Sequence, residues 1–146
     1  MTDQLKLISV ELGGQYLGID VKNVHDVIRL STLSRVPLAP RWVAGVMNLR
    51  GRIVTAVDLR ARFGIPARDE GASAMCVVVD HHGEPYGLIV DEVGDVIDVT
   101  ADQIEINPVT LDARWQQASD GVVKLDRLMV IANVAAIMDV ELAAAA

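Results

Sequence analysis

The chain has 146 residues, 51% of them hydrophobic and only 3% aromatic, with a formal net charge of −7. That length suits one domain, or two very small ones sharing a core. So few rings and so much negative charge argue against a stacking platform for single-stranded nucleic acid and against a basic phosphate-binding face. No apolar run reaches transmembrane length, and the polar start leads straight into a strand pattern without the apolar core of a signal peptide. With Cys76 as the single cysteine no internal disulfide forms, which points, with the rest, to the cytoplasm.

Residues 5–12 alternate, with Ile8, Val10 and Leu12 on one face and Leu7, Ser9 and Glu11 on the other, which predicts a half-buried strand. Gly13-Gly14 supplies a two-residue turn, and Leu17, Ile19 and Val21 alternate on the return strand. Asp20 suits the cap of a helix of about two turns, in which Val21, Val24, Val27 and Ile28 share a stripe. Lys22, Asn23, His25, Asp26 and Arg29 lie off that stripe and meet water. Val36-Pro37 and Pro40 break the pattern.

Two apolar runs, 45–49 and 52–57, then flank Arg50-Gly51-Arg52 and predict a hairpin reversing at Gly51, with arginines at its tip. Asp58 suits the cap of a short helix in which Leu59 and Phe63 share a face. Residues 64–73 are small, polar and turn-rich, a connector.

After the connector the pattern starts again. A shift of 69 residues lays Gly14, Gly18 and Val21 on Gly83, Gly87 and Val90, and Val24, Asp26, Val27 and Ile28 on Val93, Asp95, Val96 and Ile97. With one indel, Gly45-Val46 falls on Gly121-Val122, and residues 52–58 on 127–133. The chain is a degenerate internal duplication. Short strands with glycine turns at this density suggest small barrels, divided here at about 1–66 and 72–142 and burying a common apolar seam. Thr100 to Gln103 fits a capping box, and residues 133–142, with Val134, Ile137 and Met138 near one face, predict a closing helix.

No catalytic constellation emerges. His81-His82, near Asp80 and Glu84, lack a second ligand cluster at metal-site spacing and read as turn histidines. Cys76, inside Met75-Cys76-Val77-Val78-Val79, reads as a buried, inert thiol. His25-Asp26 has no serine or cysteine elbow to serve. Asp91, Glu92, Asp95 and Asp98 lack the alternating ligands and placed glycine of a calcium loop. Neither a phosphate-cradling glycine loop nor any cofactor is called for. What remains is surface: Val24, Val27, Val93 and Val96 stand at equivalent places in the two repeats, either as core or as an apolar groove for a partner.

The run Gly45-Val46-Met47-Asn48-Leu49-Arg50-Gly51, followed by an Ile/Val strand and Asp58-Leu59-Arg60, resembles the signature of the CheW family of chemotaxis coupling proteins, a module shared with the regulatory domain of the CheA kinase. Thr55 departs from it, standing where the family commonly has proline and keeping a backbone N–H. The resemblance covers nearly the whole chain and implies a mainly β fold of two SH3-like five-stranded barrels packed together, with short helices. It leaves open whether terminal strands are exchanged between the barrels.

It also implies a non-enzymatic, cytoplasmic adaptor, free-standing rather than fused, that is recruited to membrane receptor arrays. The adaptor would couple the cytoplasmic tip of a chemoreceptor to the regulatory domain of a CheA-type histidine kinase. Receptor-contacting positions of the family match Val24, Gly45, Arg50, Gly51, Ala74, Met75, Val93 and Val96, and the resemblance brings Asp26 beside Arg50 as its ion-pair partner. The kinase-contacting residues stay unassigned. The competing reading is an SH3- or OB-like module for a small ligand or nucleic acid, which would need a concave basic or aromatic patch.

Overall fold

Alternating aliphatic and β-branched residues, punctuated by glycine turns, place most of the chain in strands. The computed structural model describes residues 4–30, 32–67, 69 and 73–138. In chain order these give β1 (Gln4–Leu12), β2 (Gln15–Asp20), a single 3-10 turn (Val21–Asn23), β3 (Val24–Arg29), β4 (Val43–Leu49), β5 (Arg52–Asp58) and helix α1 (Leu59–Arg62). There follow β6 (Met75–His81), β7 (Glu84–Val90), β8 (Glu92–Thr100), a second 3-10 turn (Ala101–Gln103), β9 (Ile104–Glu105), α2 (Ala113–Gln117), β10 (Ser119–Lys124), β11 (Leu128–Ala132) and a last helical stretch, α3 (134–138). The molecule is mainly β, as expected, in two sheets.

Three two-residue turns set the hairpin registers. Gly13-Gly14, Arg50-Gly51 and His82-Gly83 each place both residues at positive φ, between 52° and 86°. This is the turn geometry whose twist matches that of the flanking strands, so Leu12 opposes Gln15, Leu49 opposes Arg52 and His81 opposes Glu84. At the middle hairpin the reversal involves Arg50 as well as Gly51. Asn48 supports it, its Oδ1 accepting the Gly51 N–H at 2.9 Å.

One sheet runs β8-β1-β2-β11-β10-β9 and the other β3-β6-β7-β5-β4. The compact units of the fold follow these sheets: the first takes residues up to 23 together with those from 93 onward, the second takes Val24–Glu92. The division at 1–66 and 72–142 is therefore corrected, and one of the sheets has six strands instead of five. The reason is the pairing. Under the duplication β1, β2, β3, β4 and β5 correspond to β6, β7, β8, β10 and β11, so the two sheets share one strand order. Yet the β1–β2 hairpin of the first repeat lies among strands of the second, and the β6–β7 hairpin of the second among strands of the first. Two parallel ladders join the repeats, β2 to β11 (Leu17 opposite Val130) and β7 to β5 (Leu88 opposite Val57).

Two further expectations change. Residues 21–29 form a 3-10 turn and strand β3 rather than a two-turn helix, because the ladder to β6 (Val27 opposite Val77, Ile28 opposite Cys76) satisfies the backbone that a helix would otherwise satisfy internally. Strand β1 is buried on both faces at its centre, Leu7 and Ser9 as well as Ile8 and Val10. Ser9 tolerates this because its hydroxyl donates to the Asp95 carbonyl at 2.8 Å.

Other readings hold. Asp58 caps α1, its carboxylate accepting the Arg60 N–H at 3.1 Å, with Leu59 and Phe63 buried beneath. Gln103 completes the capping box by accepting the Thr100 N–H at 2.7 Å. Asn133 caps α3 through the Ala136 N–H, with Val134, Ile137 and Met138 buried; the predicted continuation to 142, like 68 and 70–72 of the connector, lies outside the described residues. Thr55 sits on a central strand, opposite Val46 on one side and Tyr86 on the other, where proline would remove a donor.

The core of the first unit gathers Leu7, Val99, Val123, Met129 and Ile131. In the second, Met47, Val54, Cys76 and Val78 form one cluster and Ala56, Ala74 and Ile89 another. At about 1.5–3 kcal/mol for each fully buried large aliphatic side chain, these clusters supply the main term opposing chain entropy.

The duplication repeats a close approach too. Each of the strands β4 and β10 bulges beside a glycine, and the next residue pairs with a crossing segment: Val46 with Ser34, Val122 with Glu105. A Cβ on Gly45 would lie 2.6 Å from the Ser34 carbonyl oxygen, and one on Gly121 2.7 Å from that of Glu105. Gly45→Ala and Gly121→Ala are each expected to cost about 1–3 kcal/mol, the usual cost of overpacking a tight site. Denaturant midpoints measure this, and an unshifted midpoint for either variant would show that the crossing segment yields freely.

Candidate interaction surface

The β4–β5 hairpin projects Arg50 into solvent at the end of the second unit. Its Nη1 donates to Asp26 Oδ2 at 2.6 Å; the Arg50 side chain is 77% exposed, that of Asp26 only 21%. Asp26 is oriented from its own strand, its other oxygen accepting the Val27 N–H at 2.9 Å. Because β3 and β4 are opposite edges of this sheet, an ion pair between β3 and the β4–β5 turn requires the sheet to curl on itself. Among the described residues no backbone ladder joins those two edges; the side-chain bridge does so instead. Around it lies a shallow depression of about 170 Å³, lined by His25, Asp26, Leu49, Arg50, Arg52, Val54, Val78 and Pro85.

The other expected contact residues divide. Gly51 is exposed at the hairpin tip beside Arg50. Val24 begins β3, half-buried, opposite Val79, and Met75, half-buried, opens β6 opposite Arg29. Gly45 and Ala74 are buried: Gly45 receives the Ser34 segment and Ala74 packs with Ala56 and Ile89, so each shapes the surface from beneath and offers a partner no side chain. In the first unit, on β8, Val93 is half-buried and Val96 is 54% exposed, which decides against a core role for Val96.

Several pairings were missed in the sequence. Arg60 forks onto Asp91, Nε to Oδ1 at 2.9 Å and Nη2 to Oδ2 at 2.7 Å, while Nη1 donates to the Pro66 carbonyl at 2.7 Å. The carboxylate raises the Arg60 pKa above its already high usual value. This fork ties α1, from the first repeat, to the end of β7, from the second. His25 Nε2 stands 2.5 Å from Asp80 Oδ2 on the neighbouring strand. Arg127 pairs with Glu11 and lies over the Tyr16 ring, 4.7 Å from its centroid. Only the alignment of 52–58 with 127–133 marked Arg127 as a hairpin residue, and nothing local named its partners.

The residues weighed for chemistry sit as follows. His82 occupies its turn at φ 53°, with the His81 ring centroid 4.0 Å from its own. No group of three His, Cys, Asp or Glu among the described residues has the placement to hold a metal ion. Cys76 is fully buried, and desolvation pushes its thiol up to about 12. No helix of the described residues is long and apolar enough to cross a membrane.

Against this geometry, residues 6–142 match the family model described as CheW-like domain. The chain belongs to the CheW family. It is 33% identical over 128 residues to the chemotaxis protein CheW of Thermotoga maritima, covering 88% of this chain and 83% of the relative. With the probable chemotaxis protein CheW of Rhizobium etli it shares 28% identity over 125 residues, covering 86% and 81%. The crystal structure of the scaffolding protein TtCheW from Thermoanaerobacter tengcongensis superposes with a TM-score of 0.81 at 30% identity, covering 92% of each chain.

Arg50→Ala is expected to leave stability within about 0.5 kcal/mol, as befits an exposed ion pair, and a melt by circular dichroism measures it. A large drop would make the bridge a structural closure of the sheet. Cys76 is expected to resist iodoacetamide at pH 8 in the native protein and to label on denaturation. Since its folded pKa lies above the unfolded value of about 9, the stabilisation from keeping it neutral is complete below pH 9 and is lost as pH rises from there towards 12. Labelling of the native protein as fast as of the unfolded chain would show the thiol to be accessible.

Proposed function

We propose that this protein is a non-catalytic chemotaxis adaptor that binds a chemoreceptor and a CheA-type histidine kinase at the same time. The observation that carries the reading is the family match across 6–142, together with the exposed Arg50 hairpin held by Asp26. The adaptor acts in the cytoplasm and is recruited to receptor arrays at the membrane. It joins the cytoplasmic tip of the receptor to the regulatory domain of the kinase, which the family resemblance makes a homologous module, through the ends of its barrels. Linking the two binding events lets the state of the receptor bias the kinase without any chemistry in the adaptor.

The receptor-contacting residues in this reading are Val24, Asp26, Arg50, Gly51 and Met75 on the second unit, with Gly45 and Ala74 buried beneath them, and Val93 and Val96 on the first. Arg50 supplies five donors at an exposed tip, and Asp26 aims it. The valines supply apolar area for a receptor helix. Half-exposed valines at equivalent positions of both repeats have little reason to face water unless a partner covers them.

Val24→Asp and Val93→Asp are each expected to abolish receptor capture, since burying a charge against an apolar helix costs about 2 kcal/mol or more. Kinase binding and the denaturant midpoint should persist. Co-purification with receptor and with kinase, measured separately beside the melt, tests the assignment. Loss of kinase alone would reverse the two surfaces, and loss of both partners with the fold would make these valines core.

A further inference from the structure

Strand register shows that the two repeats carry one hairpin arginine twice. In the first unit Arg127, just before β11, pairs with Glu11 on β1 and lies over the Tyr16 ring. In the second unit Arg52, the first residue of β5, has the same station relative to Asp80 on β6. Glu11 opposes Tyr16 as Asp80 opposes Pro85, and Val130 opposes Leu17 as Thr55 opposes Tyr86. Yet Arg52 does not take Asp80. That carboxylate is held by His25, whose Nε2 lies 2.5 Å from Oδ2. The guanidinium of Arg52 is exposed and has no ion-pair or hydrogen-bond partner among the described residues.

The cause is one residue on the edge strand. His25 is the extra residue of a bulge in β3, where Val24 opposes Val79 and Asp26 opposes Val78. A bulge re-aims its side chain, and here the imidazole reaches Asp80 on the neighbouring strand. The 69-residue shift lays His25 on Gly94 of β8, where even a Cβ would lie 2.7 Å from the Ser9 Oγ. Glu11 therefore meets no competing histidine and keeps its arginine, whereas Asp80 meets one and releases its own. Arg52 instead lines the depression of about 170 Å³ together with Arg50 and His25. The carboxylate in that lining, Asp26, is already engaged by Arg50 and by the Val27 N–H. The depression is thus a local excess of positive charge on a chain whose formal net charge is −7.

We propose that Arg52 binds a carboxylate on the receptor helix that covers this surface, and that His25, by holding Asp80, is the positioning residue that keeps Arg52 free to do so. The first half rests on the adaptor reading, because the receptor brings the carboxylate. Charge complementarity selects that group, since an unpartnered guanidinium fork matches the planar carboxylate with two parallel donors. The hold on Asp80 depends on pH, because histidine as a class changes charge between about pH 5 and 8. As imidazolium, His25 keeps Asp80 by charge. As neutral imidazole it offers only a hydrogen bond, and the permanently charged Arg52 captures the carboxylate instead. The other charged or titratable groups around the pair are Asp26 beside His25 on β3, Arg50 across the depression, His81 beside Asp80 on β6, and His82 and Glu84 where the chain turns into β7. Asp26 and Arg50 satisfy each other, and Glu84 accepts the Tyr86 hydroxyl at 3.4 Å.

Binding of the full chain to the purified cytoplasmic fragment of a chemoreceptor, at low salt, tests the assignment. Arg52→Gln should weaken binding about threefold to tenfold, as for a charge pair partly buried at an interface, with the melt unchanged. In the parent chain affinity should fall by a similar factor from about pH 6 to about pH 8. His25→Ala should bind at the lower pH as weakly as the parent does at the higher. Adding Asp80→Asn to it should restore binding by removing the competitor, a rescue that a merely structural histidine would not give. His25→Lys should bind tightly at both pH values. In the free chain the Arg52 Nε–H resonance should shift over the same pH range, and stay fixed in Asp80→Asn. Equal receptor binding by the parent and Arg52→Gln overturns the role of Arg52, and tighter binding by Arg52→Glu would show that the partner brings a cation there instead. A flat pH profile, or no rescue by Asp80→Asn, overturns the role of His25. A parent chain that binds no receptor overturns the adaptor reading and the carboxylate with it, while the resonance still decides whether Asp80 passes between His25 and Arg52.

Discussion

The fold depends on two short parallel ladders, β2 against β11 and β5 against β7. Each joins a strand of one repeat to a strand of the other, and each lies in the middle of its sheet. Cut either ladder and that sheet falls into two pieces of only two or three strands, too small to bury a core. A single repeat is thus not a folding unit, although it contains every type of strand the architecture uses. The pairings span more than 100 residues in one sheet and about 30 in the other. Such separation makes the loop-closure cost large and favours slow, cooperative assembly over stepwise growth. The fork of Arg60 on Asp91 reinforces this interlock, since it fixes a helix of the first repeat to a strand of the second.

Much of the local structure was legible because its causes are local. Glycine turns, the Asp58 cap, the Thr100 capping box and the start of the last helix each follow from one or two residues acting on their immediate backbone. The duplication was legible as well, and it correctly pairs the strands of the two sheets. What the pattern does not carry is the choice of partner strand. A hairpin such as β1–β2 presents the same alternating faces whether it joins its own repeat or the other, so a boundary at the connector near residue 70 was the natural reading and the wrong one. At residues 21–29 the fault was of period. Val21, Val24, Val27 and Ile28 fit a helical stripe, but all four are β-branched, and the free edge of β6 accepts the last three as part of a strand. The aligned segment 93–98, continuous with a plain strand pattern, was the signal that decides for β.

The candidate surface divides along a similar line. The tip position of Arg50 and Gly51 was legible because a two-residue turn exposes its own tip, whereas the pairing of Asp26 with Arg50 was expected from the family resemblance, and curvature of the sheet brings the two residues together. Gly45 and Ala74 also entered through the resemblance, and both are buried. A motif records every residue on which a surface depends, both those that touch a partner and those that let the backbone pass closely enough to build it. Gly45 is of the second kind: its missing Cβ makes room for the Ser34 carbonyl, and that crossing sets where the following loop leaves the sheet.

That division explains how a protein of the CheW family can carry different surfaces on one repeated frame. The frame needs glycine at the bulge, because any Cβ there meets a carbonyl oxygen at 2.6–2.7 Å, so both repeats retain it. The loops launched from the crossing make few demands on the core and are free to change sign. One carries arginines and the other carboxylates, each beside a proline followed by an exposed aliphatic residue, Leu38 or Val109. Duplication supplies two copies of a surface in fixed topological positions, and the charges of those copies have diverged, with Arg35 and Arg41 in 32–42 and Asp102, Glu105 and Asp112 in 102–112. In a scaffold, where function is the set of contacts that coexist, this is the chemistry the fold has to offer.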